Sequence, residues 1–255
     1  MLRRPATFGG GTPRNDDYAT LMDKLIVALD VDSINSARDI VDKLYPAVKI
    51  FKIGSQLFTS AGPQAVELVL NKGAKVFLDL KFHDIPNTVA NAVRAAVRLK
   101  VFMLNLHVQG GFDMMKQAML AAKDESLKLN IARPFVLGVT VLTSMGEKDL
   151  KDLEIRKGVK SQVTYLAKLA RDAGLDGVVA SADEVQPIRW SCGDKFIILT
   201  PGIRPEWAQK GDQKRTATPK EAINLGSNFI VIGRPIIEAQ DPKQAAGEVL
   251  KEIQI

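Results

Sequence analysis

Two carboxylates and an ammonium fall within six residues of one another in the run Asp79-Leu80-Lys81-Phe82-His83-Asp84-Ile85-Pro86-Asn87-Thr88. The run follows an apolar stretch, Ala74-Lys75-Val76-Phe77-Leu78, which has the length and composition of a buried strand. Side chains alternate faces along a strand, so Phe77, Asp79 and Lys81 are expected on one face, with Asp79 and Lys81 about 6.6 Å apart along it. Opposite charges at a strand end are poor material for a core. They suit a reaction in which charge develops or a proton moves.

Charges need elements to hold them. Short apolar runs recur at residues 25–30, 48–53, 74–80, 102–107, 135–141, 177–180, 196–200 and 229–232. Segments with helical spacing lie between them, at 36–44, 64–70, 88–99, 114–127, 163–173 and 243–253. Strand-like runs separated by helices predict parallel βαβ units. Eight units in a chain of 255 residues predict an α/β fold of the (β/α)8 TIM-barrel type, one domain spanning residues 23–255. A doubly wound open sheet is the alternative. It would carry a glycine-rich first turn, and Ala28-Leu29-Asp30-Val31-Asp32 carries none.

A barrel places its functional residues at the C-terminal ends of strands. Asp30, Lys52, Asp79, Lys81, Thr143, Ser144, Gly202, Arg204, Gly233 and Arg234 all fall at or just after such ends. Gly233-Arg234-Pro235 follows the last strand. Glycine allows close backbone approach, Pro235 suits a helix start, and Arg234 offers a fork of donors, so the triplet is a candidate phosphate site. The connection over residues 200–218 carries Pro201, Gly202, Arg204, Pro205, Gly211, Asp212 and Gln213. Its length is that of a lid or binding loop, from which Pro201, Arg204 and Gln213 are candidate substrate contacts. Blander roles compete. Asp30, Asp32 and Ser33 are equally suited to cap the first helix, and Asp84 to cap the one near Pro86. Histidine is a good general base near neutral pH. At the end of strand four, however, His107 is expected to make a structural hydrogen bond. His83 lies inside the charged run but is given no part in the chemistry.

Composition narrows the class. The chain is 46% hydrophobic and 25% charged, with a net charge of +6. That balance favours an anionic ligand. The basic residues are scattered among 29 acids, and no basic block of the nucleic-acid-binding kind stands out. A single cysteine, Cys192, excludes an internal disulfide and a cysteine metal cluster, and fits a reducing cytoplasm. No apolar run reaches membrane-spanning length. Residues 1–22, rich in glycine, proline and polar side chains, read as a flexible tail.

The run Asp79 to Thr88 closely resembles the signature of the orotidine 5′-phosphate decarboxylase family in its bacterial form. Val27-Ala28-Leu29-Asp30, Phe51-Lys52-Ile53-Gly54, Val141-Leu142-Thr143-Ser144, Thr200-Pro201-Gly202-Ile203-Arg204 and Val231-Ile232-Gly233-Arg234-Pro235 follow in the family's order. The resemblance implies a homodimeric barrel that converts orotidine 5′-phosphate to uridine 5′-phosphate and carbon dioxide, the last step of de novo UMP synthesis. It implies no metal and no organic cofactor. Lys52, Asp79, Lys81 and Asp84 map onto the family's alternating catalytic charges, with Lys81 as proton donor. Asp84, Ile85 and Thr88 would reach into the partner's site. Asp30 and Lys52 would contact the ribose, Thr143 or Ser144 the pyrimidine, and Gln213, Gly233 and Arg234 the phosphate, with Arg204 nearby. Two rivals remain: a metal-dependent keto-sugar-phosphate decarboxylase or aldolase of the same barrel group, and a non-catalytic nucleotide-phosphate binding protein.

Overall fold

The computed structural model describes residues 23–208 and 216–254. The expected tail, 1–22, and the candidate phosphate contact Gln213 lie outside the described residues. Eight parallel strands close in sequence order into a barrel: β1 (Leu25–Ala28), β2 (Ile50–Gly54), β3 (Lys75–Phe82), β4 (Met103–His107), β5 (Phe135–Val139), β6 (Gly177–Val179), β7 (Ile197–Thr200) and β8 (Phe229–Ile232). β1 pairs with β8 through Ile26 and Val231, which shuts the ring.

Helices wrap the outside: α1 (Ile34–Leu44), α2 (Ser55–Ala61), α3 (Pro63–Asn71), α4 (Pro86–Arg98), α5 (Phe112–Leu129), α6 (Glu147–Asp152), α7 (Val159–Asp172), α8 (Val185–Cys192), α9 (Pro219–Asn224), α10 (Arg234–Ile237) and α11 (Pro242–Glu252). All eight expected strands form. The shorter helices α2, α6, α8, α9 and α10 were not marked by helical spacing, because four to eight residues show too little of a 3.6-residue period. None of the helices is long and apolar enough to cross a membrane, among the described residues.

The period-two pattern sorts the strands into two cores. Ile26, Ala28, Ile50, Phe77, Met103, Phe135, Leu137, Ile197, Leu199, Phe229 and Val231 fill the barrel interior. Their neighbours in sequence, such as Val27, Phe51, Val76, Leu104, Val136 and Ile198, point outward into the helix layer. Gly177 shows how closely the strands are held. A Cβ there would lie 2.1 Å from the Ile197 carbonyl oxygen.

Interior parity continues past the apolar layers toward the C-terminal mouth, where the residue types change. One step beyond Ala28, Ile50, Phe77 and Met103 stand Asp30, Lys52, Asp79 and Asn105. Apolar packing thus ends where polar side chains begin, on the same strands and the same face.

Candidate active site

A cavity of about 370 Å³ opens at this mouth. Asp30, Lys52, Asp79, Lys81, Asn105, Thr143, Ser144, Pro201, Gly202, Arg204, Gly233 and Arg234 all line it. Ala28, Phe77, Val139, Val141, Leu142, Val179, Ala180, Leu199 and Val231 provide apolar wall and floor. One side of the cavity is charged and the rest suits a flat, largely apolar ring.

The charges alternate along a line. Lys52 Nζ donates to Asp30 Oδ1 at 2.8 Å and stands 3.4 Å from Asp79 Oδ2. Lys81 Nζ donates to the other oxygen, Asp79 Oδ1, at 2.7 Å. The segment after β1, strand β2 and the C-terminal half of β3 therefore build an array of Asp30, Lys52, Asp79 and Lys81. The side chains of Lys52 and Asp79 are each only 11% exposed, whereas Lys81 is 38% exposed. Burial alone would lower the Lys52 pKa, but the flanking Asp79 and Asp30 carboxylates outweigh it and raise it, so the cation is held charged. Gly54 makes room for this pair. A Cβ there would sit 2.9 Å from Lys52 Nζ.

Lys81 arrives by a route that strand alternation does not anticipate. β3 and β4 pair Leu78 with Leu104 and then Phe82 with Leu106, so β3 carries extra residues between two rungs. Lys81 sits there with φ of +51°, in the left-handed region that non-glycine residues rarely enter. Its backbone N–H donates to Asn105 Oδ1 at 2.8 Å, and Asn105 Nδ2 donates to Asp79 Oδ1 at 2.7 Å. Asn105 was not among the expected site residues. Its signal was present, since it is the polar step in β4 at interior parity.

The blander roles of the aspartates do not hold. Ser33, not Asp30, caps α1 by accepting from Ser36 N–H. Ile85 is the N-cap residue of α4, and Asp84 Oδ1 instead accepts from the adjacent Ile85 N–H at 2.6 Å. Asp84, Ile85 and Thr88 are exposed and do not line their own chain's cavity; Ile85 is 66% exposed. His107 departs from its expected structural bond. Its Nδ1 is buried without a hydrogen-bond partner among the described residues, and its ring lies 5.3 Å from that of His83. Burial, then the charges of His83 and Lys81, lower the His107 pKa. His83 follows the last residue of β3, Phe82, and stays out of the cavity.

Gly233 is the N-cap residue of the four-residue α10, which begins with Arg234 and Pro235. Arg204 and Arg234 both border the cavity. No group of three or more His, Cys, Asp or Glu able to hold a metal ion occurs among the described residues.

Comparison with known proteins places this geometry. The family model for the orotidine 5′-phosphate decarboxylase / HUMPS family matches residues 23–249. The chain is 50% identical over 234 residues to the orotidine 5′-phosphate decarboxylase of Moorella thermoacetica, covering 91% of this chain and 93% of that one. It is also 50% identical over 230 residues to the protein of the same name from Trichlorobacter lovleyi, covering 90% and 95%. A crystal structure of orotidine 5′-phosphate decarboxylase from Lactobacillus acidophilus superposes with a TM-score of 0.81 at 38% identity, covering 91% of this chain and all of that one. A closed eight-stranded barrel, charged at its mouth and matched over nearly its whole length, belongs to the orotidine 5′-phosphate decarboxylase / HUMPS family.

Proposed function

We propose that this chain decarboxylates orotidine 5′-phosphate to uridine 5′-phosphate and carbon dioxide, the closing step of UMP synthesis. The observation that carries this is the alternating array Asp30–Lys52–Asp79–Lys81 beside an apolar slot. The pyrimidine occupies the slot, with Thr143 or Ser144 at its polar edge and Pro201 against it. Asp30 and Lys52 hold the ribose hydroxyls. Gly233, Arg234 and Gln213 hold the phosphate, with Arg204 nearby.

Losing carbon dioxide from C6 leaves an electron pair in the ring plane, outside the π system. Ring conjugation cannot take it up, so stabilisation must come from charge already in place. The C6–carboxylate bond breaks and its pair stays on C6. The Lys81 ammonium then gives C6 a proton and is left as an amine. At 38% exposure Lys81 can be reprotonated from solvent once product leaves. Asp79 lies against the departing carboxylate and loses that repulsion as carbon dioxide forms. Two unit charges 4 Å apart interact by about 4 kcal/mol at an effective dielectric near 20. Enzymes lower barriers by roughly 8–23 kcal/mol, so this pair supplies a fraction. Phosphate and ribose binding, used to orient the ring and exclude water, supplies more.

The working unit in this proposal is a homodimer with shared sites, acting in the cytoplasm. What supports sharing is Asp84, Ile85 and Thr88, which belong to the signature run yet lie exposed beside their own cavity rather than in it. Complementation tests it. Lys81→Ala and Asp84→Ala homodimers should each be nearly inactive on orotidine 5′-phosphate. After dissociation and re-pairing of equal amounts, about half the dimers are mixed, and each has one site free of both defects. Recovery of roughly a quarter of wild-type activity is expected. No recovery, with subunit exchange confirmed, would return Asp84 to its own chain's site.

A further inference from the structure

Asn105 is 1% exposed, lies at the middle of β4, and bonds both members of the Asp79–Lys81 pair at once. Its orientation follows from its partners. A backbone N–H can only donate and a carboxylate can only accept, so the amide oxygen must face Lys81 N–H and the amide nitrogen Asp79. The two bonds span the point where β3 leaves its register and Lys81 takes a positive φ. The backbone of Lys81 is thus held in an unfavourable region by one buried side chain. The same side chain directs Asp79 Oδ1, the oxygen that Lys81 Nζ also contacts.

We propose that Asn105 is a positioning residue for the decarboxylation, fixing where the Asp79 carboxylate and the Lys81 ammonium stand relative to the substrate; this rests on the roles given to those two residues above. A side chain that only filled space would need neither a donor nor an acceptor. Leucine branches at Cγ as asparagine does and would suit the apolar interior residues Phe77 and Met103 on the same face. The charged and titratable groups facing Asn105 are Asp79 and Lys81 of β3, with Lys52 of β2 beyond Asp79 and His107 two residues along β4.

The test uses the full-length homodimer. Wild-type turnover of orotidine 5′-phosphate is measured first and reports on the parent proposal alone. In Asn105→Ala both bonds are lost. We expect kcat to fall about 10- to 100-fold, the range for hydrogen bonds to charged groups. The dissociation constant for uridine 5′-phosphate should change less than about threefold, because ribose and phosphate contacts remain.

Asn105→Asp separates positioning from packing and does not depend on the alanine variant folding. The new carboxylate still accepts from Lys81 N–H but faces Asp79 without a proton to donate. Once protonated, its O–H can donate to Asp79 in place of the amide. The ratio of variant to wild-type kcat should therefore rise as pH falls from about 8 to about 5, the neighbouring Asp79 charge favouring the protonated form. A flat ratio would overturn the proposal. So would wild-type kcat in a folded Asn105→Ala. An inactive wild type would instead sink the parent proposal, and this one with it.

Discussion

Both ends of the barrel bury charge, and they use it differently. At the N-terminal end, Arg133 makes two parallel bonds to Asp176, at 2.6 and 2.7 Å, and Asp176 also accepts from Val136 N–H. The bond to Asp176 outweighs burial and raises the Arg133 pKa. Arg189 likewise turns inward to the carbonyls of Gly193, Asp194, Phe196 and Gly226 and to Asn228. These groups join the entries to β5, β6, β7 and β8, and their bonding capacity is spent on the chain itself. At the C-terminal end, Asp30, Lys52, Asp79 and Lys81 also pair among themselves, but they do so along the wall of a cavity. Charge at the floor fastens strands together. Charge at the mouth is held in place for something that enters.

Substitutions at the two ends should therefore separate activity from stability. The largest expected effect is at the mouth. Lys81→Ala should lower kcat at least about a thousandfold, equivalent to about 4 kcal/mol of transition-state stabilisation, while the melting temperature stays within a few degrees. A variant that keeps most of its kcat would remove Lys81 as proton donor.

The mirror experiment is at the floor. Arg133→Ala leaves Asp176 without its cation, and breaking a buried pair costs about 3–5 kcal/mol. With the two side chains 13% and 17% exposed, the lower end of that range applies. Thermal unfolding should move down on the order of 10 °C for a chain of this size, with kcat at 25 °C changed less than about twofold. A large kcat loss in a folded Arg133→Ala would erase the distinction between the ends.

The smallest effect refines the mouth itself. Arg234→Ala should raise KM for orotidine 5′-phosphate about 10- to 150-fold, since hydrogen bonds to charged groups contribute about 1.5–3 kcal/mol. Turnover of orotidine, which lacks the phosphate, should be unaffected. Equal weakening of both substrates would show that Arg234 does not read the phosphate.

The barrel was legible because eight apolar runs at regular spacing admit few other topologies. Most of the mouth was legible for a related reason: in a barrel the end of each strand is a known place. Asp30, Lys52, Asp79, Lys81, Thr143, Ser144, Pro201, Arg204, Gly233 and Arg234 all border the cavity they were expected to form. Less legible was how Lys81 gets there, because a positive φ and a register shift are properties of the folded backbone and leave no mark on period-two spacing. Asn105 was passed over because it is neutral and sits inside the apolar run Met103–His107, although its parity with Met103 pointed inward. Asp84, Ile85 and Thr88 were expected in a site built by two chains, and one chain places them at the surface. His107 was expected to bond, and pairs its ring with His83 instead.

The central claim is that the charged mouth decarboxylates without help from a metal or cofactor. Its most direct test is to add orotidine 5′-phosphate to the purified chain in excess chelator and follow its absorbance. The account predicts loss of substrate with equal amounts of uridine 5′-phosphate and carbon dioxide formed, at a rate the chelator does not change. No loss of substrate by the folded protein, or turnover that returns only when Mg²⁺ or Zn²⁺ is restored, would contradict it.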